Sequence, residues 1–202
     1  MESTQHQNSK AKTNTNNSDS LERVANIQKT KTLVDNRNKK LNWKKLPCGL
    51  WQSNQGEIGF QTEEATENDI NFVRYITNLA SNGKSLKSVI DLDTFHYLGS
   101  SFYKDKNHIY THYVMADGGN FQILKDADVA TFTVIGDCYA KDKNYIFGER
   151  AFKMEHVDYD TFKTKKGIGC FAKDKNGYYF WDEFIDSLDM EHDELQNVLD
   201  KL

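Results

Sequence analysis

The chain has 202 residues, a formal net charge of −4, and a composition that is 38% hydrophobic and 12% aromatic. A chain of this length fits one folded domain with appended segments, or two small domains. One proline and twelve glycines exclude collagen-like and proline-rich low-complexity chains, and no apolar run approaches membrane-spanning length.

Charge is distributed unevenly along the chain. Residues 1–46 carry ten Lys or Arg and four Asp or Glu, a net charge of +6, whereas residues 47–202 carry sixteen and twenty-six, a net charge of −10. Because an acidic body repels phosphates, we expect it to bind no nucleic acid, and an acidic face could instead meet a basic partner. The three cysteines form no C-x-x-C pair, and the amino terminus shows no secretory-type apolar core. We therefore expect a cytoplasmic protein with reduced cysteines.

The first 45 residues predict a disordered basic tail. Residues 1–20 contain no Val, Ile, Leu or aromatic residue, so this part cannot offset the entropy cost of ordering. The apolar residues that follow, Leu21, Val24 and Ile27, favour at most a short helix. We expect one folded domain over residues 46–202.

The start of this domain predicts strands. Leu46–Phe60 indicates two strands that reverse at Ser53–Gly56, where the residues tolerate positive φ. The next segment, Glu67–Leu79, fits either one helical face or a strand, and its Val, Tyr, Ile and Thr content favours the strand.

The middle of the chain contains an internal repeat. The tetrapeptide K-D-K-N occurs at Lys104–Asn107, Lys141–Asn144 and Lys173–Asn176, and a T-F dipeptide precedes each copy by ten or twelve residues. Three copies in a matched context indicate a repeated structural unit. We place the units at about 46–60, 93–116, 128–154 and 158–181, followed by a terminal helix at 189–202.

Aromatic and β-branched residues on both sides of each tetrapeptide predict a β-hairpin. We expect a three-residue Asp-Lys-Asn loop, in which Asp accepts a hydrogen bond from a backbone amide two residues on and Asn adopts the left-handed conformation. The predicted structural turn residues are Asp105, Asn107, Asp142, Asn144, Asp174 and Asn176. The fold class that follows is a β-rich α+β protein of stacked hairpin repeats with short helices.

These residues resemble the DKNYY repeat family of bacterial proteins, whose motif stands here as D-K-N-Y-I-F at Asp142–Phe147 and K-N-G-Y-Y-F at Lys175–Phe180. The clear match covers roughly Asp93–Phe180, and the Leu50–Phe60 hairpin loosely echoes the same unit. The resemblance implies no catalytic residues. Some relatives of this kind lie beside toxin genes, which implies an immunity role by association.

Several residues fit a specific chemical function as well as a structural role. A calcium loop opening at Asp174 would need an acidic residue at its twelfth position, where Ile185 stands, so a plain turn is favoured. His108 and His112 lie four residues apart, but on a strand this places them roughly 13 Å from each other, too far to share an ion. Cys138 and Cys170 hold equivalent repeat positions, which favours small-residue packing within each hairpin. We expect neither a metal nor another cofactor.

No nucleophile–base pair, phosphate loop or metal cluster points to an enzyme. We expect a non-enzymatic protein-binding module, in its sharper form an immunity protein that neutralises a cognate toxin with a basic surface. The alternative is a structural or envelope-associated repeat scaffold with no toxin partner. Apolar anchors beside carboxylates near the carboxyl end form the candidate partner-binding surface: Trp181, Asp182, Glu183, Phe184 and Asp186.

Overall fold

Four small antiparallel sheets, each of four strands, follow one another along the chain. The computed structural model describes residues 7–66, 70–150, 152–185, 196–198 and 200–202. The predicted β-rich fold is confirmed, and the aromatic and β-branched residues of the repeats lie in its strands.

We call the sheets units 1 to 4. Unit 1 consists of β1 Lys44–Lys45, β2 Trp51–Gln52, β3 Ile58–Ala65 and β4 Asn71–Ile76. Unit 2 consists of β5 His96–Gly99, β6 Phe102–Lys104, β7 Ile109–Tyr113 and β8 Asn120–Ile123. Unit 3 consists of β9 Thr133–Val134, β10 Tyr139–Lys141, β11 Ile146–Gly148 and β12 Phe152–Lys153. Unit 4 consists of β13 Lys163–Thr164, β14 Phe171–Asp174, β15 Gly177–Phe180 and β16 Glu183–Phe184.

Each unit is a meander in which every strand pairs with its neighbours in sequence. The hairpin predicted from the tetrapeptide forms the central strand pair of units 2, 3 and 4, and an outer strand pairs on either side of it. The segment that the sequence left between helix and strand is the strand Asn71–Ile76. Residues 67–69, at the start of that segment, lie outside the described residues.

The sheets stack face to face, and the hydrophobic cores lie at the junctions between successive units. Side chains alternate between the two faces of a strand, so Tyr110 packs towards unit 1 whereas its neighbour Ile109 packs towards unit 3. In the same way Phe147 faces unit 2 and Ile146 faces unit 4. Each unit therefore depends on its neighbours for burial, as expected for a repeat stack.

The amino-terminal segment carries a helix, α1, over Gln7–Leu41. From Val24 onward the residues at heptad spacing are partly or fully buried, as is Asp35 beside them: Val24, Ile27, Lys31, Val34, Asn38 and Leu41. The end of this stripe docks on unit 1, where Asn38 Nδ2 donates a hydrogen bond to the carbonyl oxygen of Val73 (2.8 Å) and Leu41 is only 7% exposed. The stripe was not recognised from the sequence because two of its positions, Lys31 and Asn38, are polar.

The other helical segments are short. Helix α2 spans Leu86–Val89 between units 1 and 2. Residues 196–198 are helical, and the amide of Asp200 donates a hydrogen bond to the carbonyl oxygen of Gln196 (3.0 Å). The remainder of the predicted terminal helix, residues 189–195 and 199, lies outside the described residues. Within the described part of the chain, no helix combines the length and apolar character needed to cross a bilayer.

Candidate functional site

The repeated tetrapeptide lies at the turn end of each central hairpin, and its aspartate organises the reversal. In unit 3, Asp142 Oδ1 accepts hydrogen bonds from the amides of Asn144 (2.7 Å) and Tyr145 (2.8 Å). Its other oxygen accepts the amide of Asp128 (2.7 Å), which belongs to the preceding D-x-x-T-F turn. The buried carboxylate thus ties two loops together.

Residues of the D-x-x-T-F turn add further hydrogen bonds to this network. Asp128 Oδ1 accepts the amide (3.0 Å) and hydroxyl (2.8 Å) of Thr131, whose oxygen in turn accepts the amide of Lys143 (3.1 Å). The ammonium group of Lys143 lies 2.8 Å from Asp128 Oδ2. Hydrogen bonds from Lys143 and Thr131 lower the pKa of Asp128 to about 2.

Units 2 and 4 repeat this network with equivalent residues. The central carboxylates are Asp105 and Asp174, the turn carboxylates are Asp91 and Asp158, and the threonines are Thr94 and Thr161. In unit 1 the hydroxyl of Ser53 takes the place of the carboxylate and accepts the amides of Gln55 and Glu57.

The predicted conformation of the turn asparagines is wrong. Among the described residues the non-glycine residues at positive φ are Asn42, Ser100 and Trp181, so Asn107, Asn144 and Asn176 do not adopt the left-handed conformation. The amide of the aspartate pairs with the carbonyl oxygen three residues on in units 2 and 3, which leaves a two-residue Lys-Asn reversal. The aspartate carboxylate, rather than a left-handed asparagine, holds the turn.

The opposite, open ends of the hairpins differ from unit to unit. The amides of His112, Glu149 and Trp181 donate equivalent hydrogen bonds to the carbonyl oxygens of Ser101, Cys138 and Cys170. These positions therefore correspond in the repeat, yet they hold an imidazole, a carboxylate and an indole. Together they line a groove of about 410 Å³ that crosses units 2, 3 and 4. We call it the inter-unit groove; Ser100, Asp137 and Arg150 also line it.

Glu149 lines the inter-unit groove and contacts the units on both sides. Its Oε1 accepts a hydrogen bond from the indole Nε1 of Trp181 (3.1 Å), and its Oε2 lies 3.5 Å from the hydroxyl of Ser100. Both partners have left-handed backbones, with φ of 54° at Ser100 and 55° at Trp181. Such conformations cost about 1–3 kcal/mol each and are enriched at functional sites.

The remaining groups give the groove a mixed surface. The guanidinium of Arg150 lies 3.3 Å from the ring centre of Trp181, in a cation–π contact. His112 is 8% exposed and its Nε2–H donates to the carbonyl oxygen of Gly118 (3.0 Å), while burial lowers its pKa. Asp137 Oδ2 accepts the amides of Gly167 and Gly169 (2.8 Å each).

The structure corrects the expected role of two cysteines. Cys138 and Cys170, assigned by sequence to packing within separate hairpins, form a disulfide between units 3 and 4, with Cα atoms 5.0 Å apart. The stacking of the two sheets places these equivalent positions side by side, which their 32-residue separation could not reveal. Cys48 remains a free thiol.

The candidate partner-binding residues are only partly brought together. Trp181 lines the inter-unit groove, and Asp182 follows it. Glu183 and Phe184 lie on the edge strand β16, where Phe184 is 54% exposed. Asp186 lies outside the described residues. Sequence reasoning missed Glu149 and Arg150. The repeat could have located them, because Glu149 corresponds to Trp181 and Arg150 to Asp182.

Fold and site together define a tandem-repeat β-protein with a constant framework at the turn ends and a variable groove at the open ends. The chain belongs to the DKNYY family, which it matches over residues 9–149 and 112–183. The two matched segments overlap, in keeping with a repeating unit. Searches of curated proteins and of solved structures gave no match.

Proposed function

We propose that this protein is a non-enzymatic protein-binding module that uses the inter-unit groove, and more specifically an immunity protein that binds and neutralises a cognate toxin. The observation that carries this proposal is the contrast between the two ends of the hairpins. The turn ends repeat one hydrogen-bond network, whereas the open ends present different side chains in every unit. Variable positions on a constant framework are suited to recognition.

The side chains around the groove are of the types that dominate binding energy at protein interfaces. Trp181 and Arg150 stack on each other at its edge, and Trp and Arg are enriched among interface hot spots. Apolar surface continues into the β7–β8 connection, where Val114 is 69% and Met115 46% exposed. A partner could bury this surface around a polar centre.

Charge favours a basic partner. The groove contributes the carboxylates of Asp137 and Glu149 and one guanidinium, that of Arg150. Asp182 and the exposed Glu183 follow Trp181 in the chain and add negative charge. These groups belong to the part of the chain that carries sixteen basic and twenty-six acidic residues. Complementary charge speeds encounter and excludes acidic competitors, so a toxin with a basic surface is the partner class that fits.

Co-expression with the protein encoded by the adjacent gene tests this function. We expect rescue from its toxicity and co-purification, with association that slows as salt concentration rises.

Arg150→Ala should weaken binding about tenfold or more, as expected for a residue in a hot spot. Lys84→Ala removes the same charge from an exposed position outside the groove and should leave binding unchanged. Absence of both rescue and co-purification would refute the immunity role.

The second candidate is a structural, envelope-associated repeat scaffold with no toxin partner. The disulfide between units 3 and 4 favours it, because such bonds persist in oxidising compartments. The immunity proposal places the protein in the cytoplasm, where the same cysteines would be reduced. Trapping of thiols by alkylation in intact cells, followed by mass spectrometry of Cys138 and Cys170, distinguishes the two functions. Alkylated cysteines favour the cytoplasmic immunity protein, and an intact disulfide favours the envelope scaffold.

A further inference from the structure

We propose that Cys138, Cys170 and Glu149 bind a thiophilic divalent cation of the zinc type when the two cysteines are reduced. Among the described residues, this is the one group of at least three His, Cys, Asp or Glu side chains whose ligand atoms all lie within 4.8 Å of one another. A bound ion would link unit 3 to unit 4 through ligands from both units. The proposal does not depend on the binding function proposed above.

The spacing between the carboxylate and one sulfur suits such an ion, whereas the two sulfurs are bonded to each other in the disulfide and must move apart after reduction. Zinc binds sulfur at about 2.3 Å and carboxylate oxygen at about 2.0–2.2 Å, so tetrahedral geometry separates a sulfur from an oxygen by roughly 3.6 Å. Sγ of Cys170 lies 3.8 Å from Oε1 of Glu149. Thiolate and carboxylate together select zinc-like ions over calcium or magnesium, which prefer oxygen ligands alone.

The carboxylate is held in place by its neighbours. The indole of Trp181 and the hydroxyl of Ser100 contact the two oxygens of Glu149 from opposite units. Outer-shell hydrogen bonds of this kind orient metal ligands and strengthen binding. Cys138 is 5% exposed, whereas Cys170 and Glu149 are partly exposed, so solvent can complete the coordination.

The disulfide and the metal site are alternative states of one cluster. A dithiol reductant donates two electrons, and with two protons the disulfide becomes two thiols while the reductant is oxidised to its own disulfide. A divalent cation then displaces both thiol protons to solvent and binds the two thiolates. The carboxylate of Glu149 is the third protein ligand, and three protein ligands leave a position for water.

Cobalt is the probe that tests this site, because thiolate ligands give it a charge-transfer absorbance. Full-length protein, reduced and then freed of reductant without oxygen, should bind one cobalt ion per chain with this absorbance, and zinc should displace it. The oxidised protein should bind none. Cys138→Ser should abolish the charge-transfer band. Glu149→Gln still accepts a hydrogen bond from Trp181 but loses a direct ligand, so zinc binding should weaken by at least the roughly 10- to 100-fold that loss of an outer-shell partner costs. Cys48→Ser is the matched control and should bind as the wild type does.

Three results would overturn the proposal. The first is a reduced wild-type chain with native circular dichroism that shows no charge-transfer band. The second is equal cobalt binding by the oxidised and reduced forms, which would exclude the thiols as ligands. The third is an unchanged zinc affinity in Glu149→Gln. Comparison of oxidised and reduced wild-type protein uses one sequence, so the test stands even where a cysteine variant fails to fold.

Discussion

At the scale of single residues, the recurring aspartate acts through its carboxylate. Asp105 accepts the amides of Asp91, Asn107 and His108 and the hydroxyl of Tyr110. Burial raises its pKa, but these hydrogen bonds outweigh burial and hold the pKa below its ordinary value. A buried carboxylate is stable here because each of its oxygens has donors.

Asp142→Asn should lower the free energy of unfolding by about 1.5–3 kcal/mol, because a donating amide group then faces the amide of Asp128 and a charged acceptor is lost. Asn144→Ala, two residues on, should change it by less than about 0.5 kcal/mol, since the asparagine is exposed and not left-handed. Urea unfolding followed by circular dichroism measures both. A larger cost at Asn144 than at Asp142 would contradict the conclusion that the aspartate carboxylate holds the turn.

His112 gives stability a pH dependence. Its folded pKa lies below the ordinary value of 6.5 because burial disfavours the charged ring. As the pH falls, His112 is therefore protonated in the unfolded chain at a higher pH than in the folded one. Its contribution to the free energy of unfolding is fully present above pH 6.5 and decreases as the pH drops towards the folded pKa. His112→Gln keeps a donor for Gly118 and should flatten this profile, measured by urea midpoints between about pH 7.5 and 5. His96→Gln removes an exposed histidine and should leave the slope in place.

At the scale of elements, the end of α1 belongs to the folded body. Leu41→Ala should cost about 2–3 kcal/mol, because the side chain is buried at the junction of α1 and unit 1. Leu33→Ala makes the same change in the same helix at a side chain that is 62% exposed, and should cost less than about 0.5 kcal/mol. Thermal unfolding compares the two. Equal and small effects would mean that α1 adds nothing to the stability of unit 1.

Local signals explain what the sequence could predict at this scale. The hairpins followed from short-range contacts, since the aspartate binds amides two and three residues away. The docking of α1 joins Asn38 to Val73, and the groove joins Ser100, Glu149 and Trp181, which short-range patterns do not connect. Recognising the repeat gave the units but not how their faces meet.

At the scale of the whole molecule, stability is expected to depend on the junctions. Each unit buries one sheet face against each neighbouring unit, so the stack is a series of interfaces. The junction of units 3 and 4 differs from the others in its disulfide, which closes a sequence separation of 32 residues. That bond restricts the unfolded chain as well as the folded junction.

Cys138→Ser together with Cys170→Ser should lower the free energy of unfolding of the oxidised protein by about 3–4 kcal/mol, the loop-closure entropy for this separation. Urea unfolding without reductant measures it, and Cys48→Ser, which lies outside the crosslink, should match the wild type. Metal-free reduced wild-type protein should unfold at the same urea midpoint as the double variant. Added zinc should raise the midpoint of the reduced wild type part of the way to that of the oxidised protein, and should leave the midpoint of the double variant unchanged. If the double variant unfolded at the wild-type midpoint, the crosslink would contribute nothing, and the junction of units 3 and 4 would be held by its apolar core alone.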